Sequence, residues 1–221
     1  MSIYLAKYRP LGSTPDGQRA ATRFNLPPYV DGSCRREPDF ECEFPSISAL
    51  CRGELFAPYL REEDEVVYIT TKDFYGKDFR HWRIVARLKV LKRLKSHPDA
   101  AAWYQAKIGK VPSNCMVPSN PPLPLSHTLR SASNCAPGCG ATAATLNQWN
   151  DRYQERADQI PVFLVCETVW NELTAPVILT DAVAFRILGS WERIRSRLPI
   201  TINPEELQAI EAIALRAANQ P

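Results

Sequence analysis

Residues 66–94 read VVYITTKDFYGKDFRHWRIVARLKVLKRL, and two apolar segments in this stretch are separated by a polar loop. The first, Val66 to Thr70, is rich in β-branched and aromatic residues, which is typical of a buried strand. The second, Trp82 to Val90, has apolar residues at every second position. We interpret it as a strand because a helical stripe through it would end at Lys95. We predict that the two strands pair across the loop between them.

Other segments on both sides carry comparable local signals. Strands are also predicted at Ile3 to Tyr8, Ile160 to Val169 and Val177 to Thr180. Ser96 and Gly109 predict the start and the end of a helix, and helices are predicted near the C-terminus over 182–188, 190–198 and 204–219. The region Arg9 to Pro38 is rich in turn residues, and we predict an ordered surface loop there. The class is therefore α+β, a small bent sheet or barrel of antiparallel or mixed strands with flanking helices and a helical C-terminus.

Length and composition limit the class of protein. With 221 residues, 45% of them hydrophobic and 23% charged, the chain suits one folded domain and is not typical of a disordered protein. No apolar run approaches the roughly 20 residues that span a bilayer, and the first residues, MSIYLAKYRP, lack the apolar core and cleavage site expected of a signal peptide. We therefore predict a cytoplasmic protein without a membrane partner. Seven cysteines, an odd number in such a chain, predict reduced thiols rather than disulfides.

Positive charge is concentrated in one part of the chain. Eight basic residues between Lys77 and Lys95 are opposed only by Asp78, whereas the whole chain has a net charge of +3. Such a local excess favours binding to a polyanion. We expect phosphate contacts from seven residues: Arg35, Arg36, Arg52, Lys72, Arg83, Arg87 and Lys89. The alternative is that the basic residues on the strand form its solvated face.

The order of these segments, with LFAPYLREEDEVVYITTK at 55–72 and IPVFLVCE at 160–167, resembles the PUA-like superfamily. This superfamily includes the EVE, ASCH and YTH domains and the nucleotide-modification-associated domains, which accompany DNA-base modification systems in phages and bacteria. The resemblance implies a single domain over 1–221, with a PUA-like core over about 1–181 and a C-terminal helical extension over about 182–221. It also implies a pseudo-barrel of five or six strands that binds nucleic acid, often by accepting a flipped base in an aromatic pocket.

A pocket for a flipped base needs aromatic faces for stacking and polar groups for the base edge. The sequence offers four aromatic and three polar candidates: Tyr68, Trp82, Trp103, Tyr104, Ser113, Asn114 and Asn120. The alternative is that the aromatic residues belong to the core and that the asparagines occur where the chain turns.

The loop after the predicted helix raises the question of a metal. Four potential zinc ligands occur along it: Cys115, His127, Cys135 and Cys139. Thiolates and imidazoles are the ligands of structural zinc, and the glycines beside Cys139 suit a tight turn. The alternative is a set of unrelated cysteines in a loop of small residues. Apart from zinc, we expect no cofactor.

These observations leave three hypotheses for the function. The first is a non-enzymatic nucleic-acid-binding module that reads a modified or flipped base, in base modification or phage defence, with DNA or RNA as its partner. The second is an enzyme acting on nucleotides or nucleic acid through Asp39, Lys72 and Asn114 in the same cleft, although the chain has neither a GxxxxGK loop nor an HExxH motif. The third is a subunit that binds a protein partner through its C-terminal helices, where Leu207 to Ala214 carry an apolar stripe.

Overall fold

The structure is a computed structural model that describes residues 1–123 and 143–218, and these residues form seven strands and six α-helices. The strands are β1 (Ile3–Tyr8), β2 (Ser46–Ser48), β3 (Glu65–Thr70), β4 (Trp82–Leu94), β5 (Phe163–Asn171), β6 (Val177–Leu179) and β7 (Ile200–Ile202). The helices are α1 (Pro15–Arg23), α2 (His97–Ile108), α3 (Ala143–Gln159), α4 (Asp181–Leu188), α5 (Trp191–Arg195) and α6 (Pro204–Ala218). None of the helices in the described residues is long and apolar enough to cross a membrane.

The strands form one mixed sheet in the order β2-β5-β4-β3-β1-β7, and β6 pairs with the first residues of β4. β1 and β3 run parallel, from Ile3 opposite Glu65 to Tyr8 opposite Thr70, and the other pairs are antiparallel. The predicted pairing of β3 with β4 is confirmed. Within the described part of the chain, no pairing joins β2 to β7, so the sheet is open and does not close into a barrel. The α+β class with a mixed sheet is confirmed.

A bulge in β4 changes the face of the sheet on which its side chains lie. Tyr68 is opposite Ala86, but the next residue of β3 is opposite Ile84, so β4 contains one extra residue at this point. Even-numbered side chains before the bulge therefore lie on the opposite face of the sheet from even-numbered side chains after it. Trp82 packs in one hydrophobic cluster and Leu88 in the other. The alternation in the sequence predicted that these two residues share a face, and that prediction is wrong.

Hydrophobic clusters cover both faces of the sheet. On one face, Tyr8, Tyr68 and Leu88 pack against side chains from the connections between β1 and β3. On the other face, Trp82 packs against residues of α4, α5 and α6. Strands buried on both faces have fixed positions, and the side chains at their ends are therefore held in defined places.

The helix α2 has both capping signals that the sequence predicted. The Ser96 hydroxyl oxygen accepts a hydrogen bond from the backbone N–H of Asp99 at 3.1 Å. Gly109 follows the helix with a φ of 68°, a left-handed conformation that glycine adopts without the steric cost of a Cβ atom. The helix between these caps places Tyr104 in the core, where its hydroxyl donates to the carbonyl of Phe44 at 2.8 Å.

The C-terminal part of the chain contributes three helices and one strand. The strand, β7, was not predicted, and it pairs with β1 at one edge of the sheet. The apolar stripe of α6 lies against the sheet, with Leu207 and Ile210 buried and Ile213 and Ala214 partly buried in the same cluster. The stripe is therefore covered by the protein itself, and it gives no reason to assign a protein partner to this helix.

Replacing Ile210 by Ala is expected to lower the free energy of unfolding by about 2 to 5 kcal/mol, because the side chain is 1% exposed against the sheet. Urea unfolding followed by circular dichroism measures this loss. Leu215→Ala on the same helix is the matched control, since Leu215 is 49% exposed. The control is expected to change the same free energy by less than about 0.5 kcal/mol. Equally small losses for both variants would contradict the packing of α6 on the sheet.

Candidate functional site

A cavity of about 790 Å³ opens beyond the C-terminal ends of the parallel strands β1 and β3. Lys7 and Tyr8 from the end of β1 and Tyr68 from β3 line it. Because β4 runs antiparallel to β3, its first residue, Trp82, reaches the same cavity. The volume lies within the range of about 300 to 1,000 Å³ that is typical of ligand pockets.

Two carboxyl groups, those of Asp31 and Glu37, line the buried part of the cavity. They belong to the segment DGSCRREPDF, residues 31–40, in which every residue is buried. The sequence predicted an ordered surface loop up to Pro38. The loop is ordered, but its last part is buried and an earlier part forms α1, so the prediction of a surface position is wrong.

Hydrogen bonds hold both carboxyl groups and leave one oxygen of Asp31 available. Asp31 Oδ1 accepts from the backbone N–H groups of Ser33 at 2.8 Å and Glu37 at 3.1 Å, and also from the Ser33 hydroxyl. Glu37 accepts from the backbone N–H and the hydroxyl of Ser48, and from Asn114 Nδ2 at 2.9 Å. Asp31 Oδ2 accepts no hydrogen bond from the described residues, and it is not enclosed by protein atoms. This oxygen can therefore accept a hydrogen bond from a ligand.

Burial changes the charge at this end of the cavity. It raises the pKa of Glu37 to about 8, and the negative charge of Asp31 adds to the rise while the Ser48 hydrogen bonds oppose it. Burial also raises the pKa of Asp31, but its hydrogen bonds with Ser33 and the charge of Arg36 oppose that rise. The two backbone N–H groups that bind Asp31 Oδ1 and the charge of Arg36 both favour the ionised form of Asp31. Glu37 is mostly a neutral acid, which can donate a hydrogen bond.

Aromatic side chains form one wall of the cavity. The rings of Tyr8 and Tyr68 line it and make T-shaped contacts with each other and with Phe40 behind them, at centroid distances of 5.2 to 6.1 Å. The Tyr8 hydroxyl donates to the carbonyl of Tyr29. The Tyr68 hydroxyl makes no hydrogen bond with the described residues, although Tyr68 is only 2% exposed. It too remains accessible from the cavity.

Basic side chains surround the cavity and dominate its exposed part, which we call the mouth. Five arginines line the cavity without an ion pair to any described carboxylate: Arg9, Arg52, Arg80, Arg195 and Arg197. Lys72 differs, because its Nζ pairs with Asp181 at 2.5 Å and lies 4.8 Å from the ring centroid of Trp82. The mouth therefore carries positive charge that the described part of the protein does not neutralise.

Lys7 connects two distant parts of the chain at this mouth. Its Nζ donates to the carbonyls of Ile194 and Ser196, the second at 2.7 Å. Burial lowers the pKa of Lys7 to about 8, and the neighbouring charge of Arg52 adds to this effect. Lys7 thus anchors the end of α5 and titrates close to neutral pH.

No family model matches this chain. No curated protein and no solved structure matches it either. The chemistry of the cavity and the resemblance seen in the sequence are therefore the basis for a proposed function.

Four of the seven predicted pocket residues lie at or directly behind the cavity. Tyr68 and Trp82 line it. Asn114 lies behind the lining, where its amide group donates to Glu37 and so positions that carboxyl group. Ser113 donates to Asp39 from both its backbone N–H and its hydroxyl at 2.7 Å and fixes the loop beside Asn114.

The other three predicted pocket residues lie away from the cavity. Trp103 and Tyr104 pack with Phe44 in the hydrophobic cluster next to α2, which agrees with the alternative that they are core residues. Asn120 donates to the carbonyls of Pro112 and Cys115 and stabilises its own turn.

Two of the seven predicted phosphate contacts, Arg52 and Lys72, line the cavity, although Arg52 donates to the carbonyls of Lys7 and Arg197 and Lys72 pairs with Asp181. Arg35 and Arg36 are buried, and their guanidinium groups donate to oxygen atoms of the protein interior. Cations bound in this way stabilise the surrounding loops and are not accessible to a phosphate.

The three predicted phosphate contacts on β4 are also engaged within the protein. Arg87 and Lys89 pair with carboxylates, and Arg83 donates to a backbone carbonyl at 2.8 Å. From the basic segment 77–95, Arg80 is the charged side chain that reaches the cavity. The local excess of positive charge therefore predicted more phosphate contacts on β4 than the structure leaves available.

The predicted zinc ligands lie mostly outside the described residues. His127, Cys135 and Cys139 fall in the part of the chain without a description, while Cys115 is buried and its Sγ donates to the carbonyl of His97 at 3.2 Å. Within residues 1–123 and 143–218, no group of three or more His, Cys, Asp or Glu side chains is arranged to hold a metal.

Sequence reasoning assigned no binding role to most of the lining residues because they come from distant segments. Asp31, Arg9 and Lys7 belong to one end of the chain, whereas Arg195 and Arg197 belong to the other. One signal for the buried part was present in residues 31–40, which contain charged residues of both signs at high density. Opposite charges and polar partners that satisfy one another are what allow such a segment to be buried.

Replacing Glu37 by Gln is expected to flatten the dependence of stability on pH. Between pH 4.5 and about 8, the folded protein keeps a proton on Glu37 that the unfolded chain releases, so the free energy of unfolding falls as the pH rises. One such proton gives a slope of at most about 1.4 kcal/mol per pH unit. Gln stays neutral and removes this slope.

Urea unfolding at several pH values across that window measures the effect. Glu43→Gln is the matched control, because Glu43 is exposed and its replacement is expected to leave the slope as in the wild type. A slope in Glu37→Gln equal to that of the wild type would contradict a buried neutral acid in this cavity.

Proposed function

We propose that this protein is a nucleic-acid-binding module whose cavity receives one unpaired or flipped base. The observation that carries the proposal is the division of one cavity into two parts, with buried hydrogen-bonding and aromatic groups on one side and arginines without ion pairs on the other. A nucleotide is divided in the same way, because an aromatic base with a polar edge is joined to a charged phosphate.

The arginines at the mouth support the phosphate part of the proposal. Arg80, Arg195 and Arg197 are exposed and have no ion-pair partner among the described residues, so a phosphate would bind them without breaking a salt bridge. A guanidinium group matches phosphate oxygens with two parallel hydrogen bonds. Phosphate contacts also release counterions, so the affinity would fall as salt rises.

The buried end supports the base part of the proposal. Asp31 offers an acceptor oxygen, and the Tyr68 hydroxyl can act as donor or acceptor, while both oxygens of Glu37 already bind Ser48 and Asn114. Every base edge presents donors and acceptors to which such groups can bind. Extruding a base from a duplex costs a few kcal/mol, and hydrogen bonds and aromatic contacts of this kind compensate for it.

Further parts of the proposal come from the resemblance to the PUA-like superfamily. These are the recognition of a modified base, a setting in base modification or phage defence in bacteria, and a cytoplasmic location. The strand order and the segments at 55–72 and 160–167 are what support them. A protein partner and a zinc ion remain predictions from the sequence.

Fluorescence anisotropy with labelled single-stranded DNA and RNA, with and without modified bases, tests the proposal at two salt concentrations. Replacing Arg80 and Arg197 together by Glu is expected to weaken binding at least about tenfold, since two cations of the mouth become anions. Lys92→Glu with Lys95→Glu is the charge-matched control, because Lys92 on β4 and Lys95 just after it are both exposed and neither lines the cavity. No binding at low salt, or equal losses in both double variants, would reject this cavity as the binding site.

Tyr68→Phe tests the base contact separately. The lost hydroxyl has no partner in the described protein, so stability is expected to be retained while affinity falls about fivefold, as for one lost hydrogen bond. Tyr104→Phe is expected to show the opposite pattern, because that hydroxyl donates to Phe44 in the core and lies outside the cavity. Thermal unfolding and anisotropy of both variants separate the two effects. Unchanged affinity in Tyr68→Phe would remove Tyr68 from the proposed base contacts.

A second candidate function is catalysis on a nucleotide in the same cavity. It is favoured by two lining groups that titrate near neutral pH, since the pKa of Glu37 is raised to about 8 and that of Lys7 is lowered to about 8. The catalytic set suggested by the sequence is not assembled, because Asp39 and Asn114 bind other protein groups and only Lys72 lines the cavity. Incubation with a panel of nucleotides and oligonucleotides, followed by mass spectrometry, tests this candidate. Turnover that Glu37→Gln abolishes without loss of binding would support it, and no product from any substrate would reject it.

A further inference from the structure

We propose that the bound nucleic acid is single-stranded beside the cavity and that a neighbouring base stacks on the exposed rings of Phe185 and Trp191. This inference rests on the proposed function. It adds a second contact outside the cavity and names the class of ligand, a strand with at least one unpaired base next to the one in the cavity.

The two rings form an exposed aromatic surface, which we call the platform. Phe185 on α4 and Trp191 at the start of α5 are each 41% exposed, and their ring centroids are 5.1 Å apart. The guanidinium group of Arg195 lies 5.4 Å from the Trp191 ring centroid.

The platform is continuous with the mouth of the cavity on both helices. Arg195 lines the cavity and follows Trp191 by four residues on α5, a spacing that places two side chains about 5 to 6 Å apart. On α4, Asp181 precedes Phe185 by one turn and pairs with Lys72, which also lines the cavity. α5 therefore has one residue at the mouth and one ring in the platform, and α4 is joined to the mouth through the pair of Asp181 with Lys72.

The chemistry of this surface favours a single strand as its occupant. An unpaired base has a flat face that can stack on a Phe or Trp ring, and its phosphates would lie near Arg195 and Arg197. In a duplex, neighbouring base pairs cover the faces of each base, so the rings cannot reach them. Aromatic side chains beside a positively charged groove are the usual means by which proteins bind single strands.

The affinities of two ligands test the inference: a labelled single-stranded DNA of about eight nucleotides and the free deoxynucleoside monophosphates. Trp191→Ala is expected to weaken binding of the strand about 5- to 150-fold, the range for the loss of one stacked base. Binding of the monophosphates is expected to stay unchanged, because Trp191 does not line the cavity. Trp191→Leu, which keeps an apolar side chain but has no aromatic face, is expected to give the same result if Trp191→Ala folds poorly.

A scan of the strand with a single abasic site identifies the stacked base. In the wild type, one position next to the cavity-bound base is expected to lose affinity when its base is removed. In Trp191→Ala the same abasic site is expected to cause no further loss, because the two changes remove the same contact.

Tyr59→Ala is the matched control for the loss of an exposed aromatic ring. Tyr59 is 66% exposed. Arg93, near the end of β4 that is opposite Trp82, donates to the carbonyls of Ala57 and Leu60, which flank Tyr59 in the chain. Both affinities are expected to match those of the wild type.

The outcomes separate this inference from the proposed function. If both Trp191 variants bind the strand as the wild type does, while Arg80→Glu with Arg197→Glu does not, the platform has no role and the proposed function stands. If the wild type binds neither ligand, the proposed function fails and the inference fails with it. If analytical ultracentrifugation shows self-association that Trp191→Ala abolishes while strand affinity is unchanged, the platform is a protein contact and the inference is overturned.

Discussion

The buried charge of Arg36 is the constraint on which the cavity depends. Its guanidinium group donates to the carbonyls of Asp31 and Ser33 and pairs with the carboxylate of Glu41 at 3.0 Å. A buried cation without such partners would destabilise the protein by several kcal/mol. With them, the loop around it closes on itself and packs against the sheet. The same closure turns the carboxyl group of Asp31 toward the space beyond the ends of β1 and β3, where it lines the cavity.

Strands and helices that form because of their own residues were predictable from the sequence. Features that form because two distant segments pair were not. β3 has its β-branched residues within six positions, and α2 has Ser96 and Gly109 at its two ends, so each carries its own signal. The bulge in β4 arises from its pairing with β3, and its trace in the sequence is Val85, an apolar residue that interrupts the alternation. β7 has only three residues and forms because β1 offers an edge to it.

Residue types alone predicted only part of the candidate site, because the same residue type can line a cavity or pack in the core. Tyr68 and Trp82 were found because a base pocket needs aromatic faces, but the same reasoning also selected Trp103 and Tyr104, which pack in the core. The sequence did not distinguish arginines that bind protein groups, such as Arg35, from arginines that line the cavity, such as Arg197. Arg35 is bound by Asn150 and two backbone carbonyls, whereas the side chain of Arg197 has no hydrogen-bond or ion-pair partner among the described residues. That difference depends on which distant segments fold next to each side chain.

The hydrogen bonds from Lys7 to the carbonyls of Ile194 and Ser196 affect the order in which parts of the protein fold during synthesis. β1 can pair with β3 early in synthesis, because the two strands are separated by a modest length of chain. The mouth of the cavity also needs Ile194 to Arg197, which leave the ribosome much later. Contacts over such separations form late in folding. An unfinished chain therefore has the buried carboxyl groups but only part of the positive mouth, and the cavity is complete only after Ile194 to Arg197 have folded against Lys7.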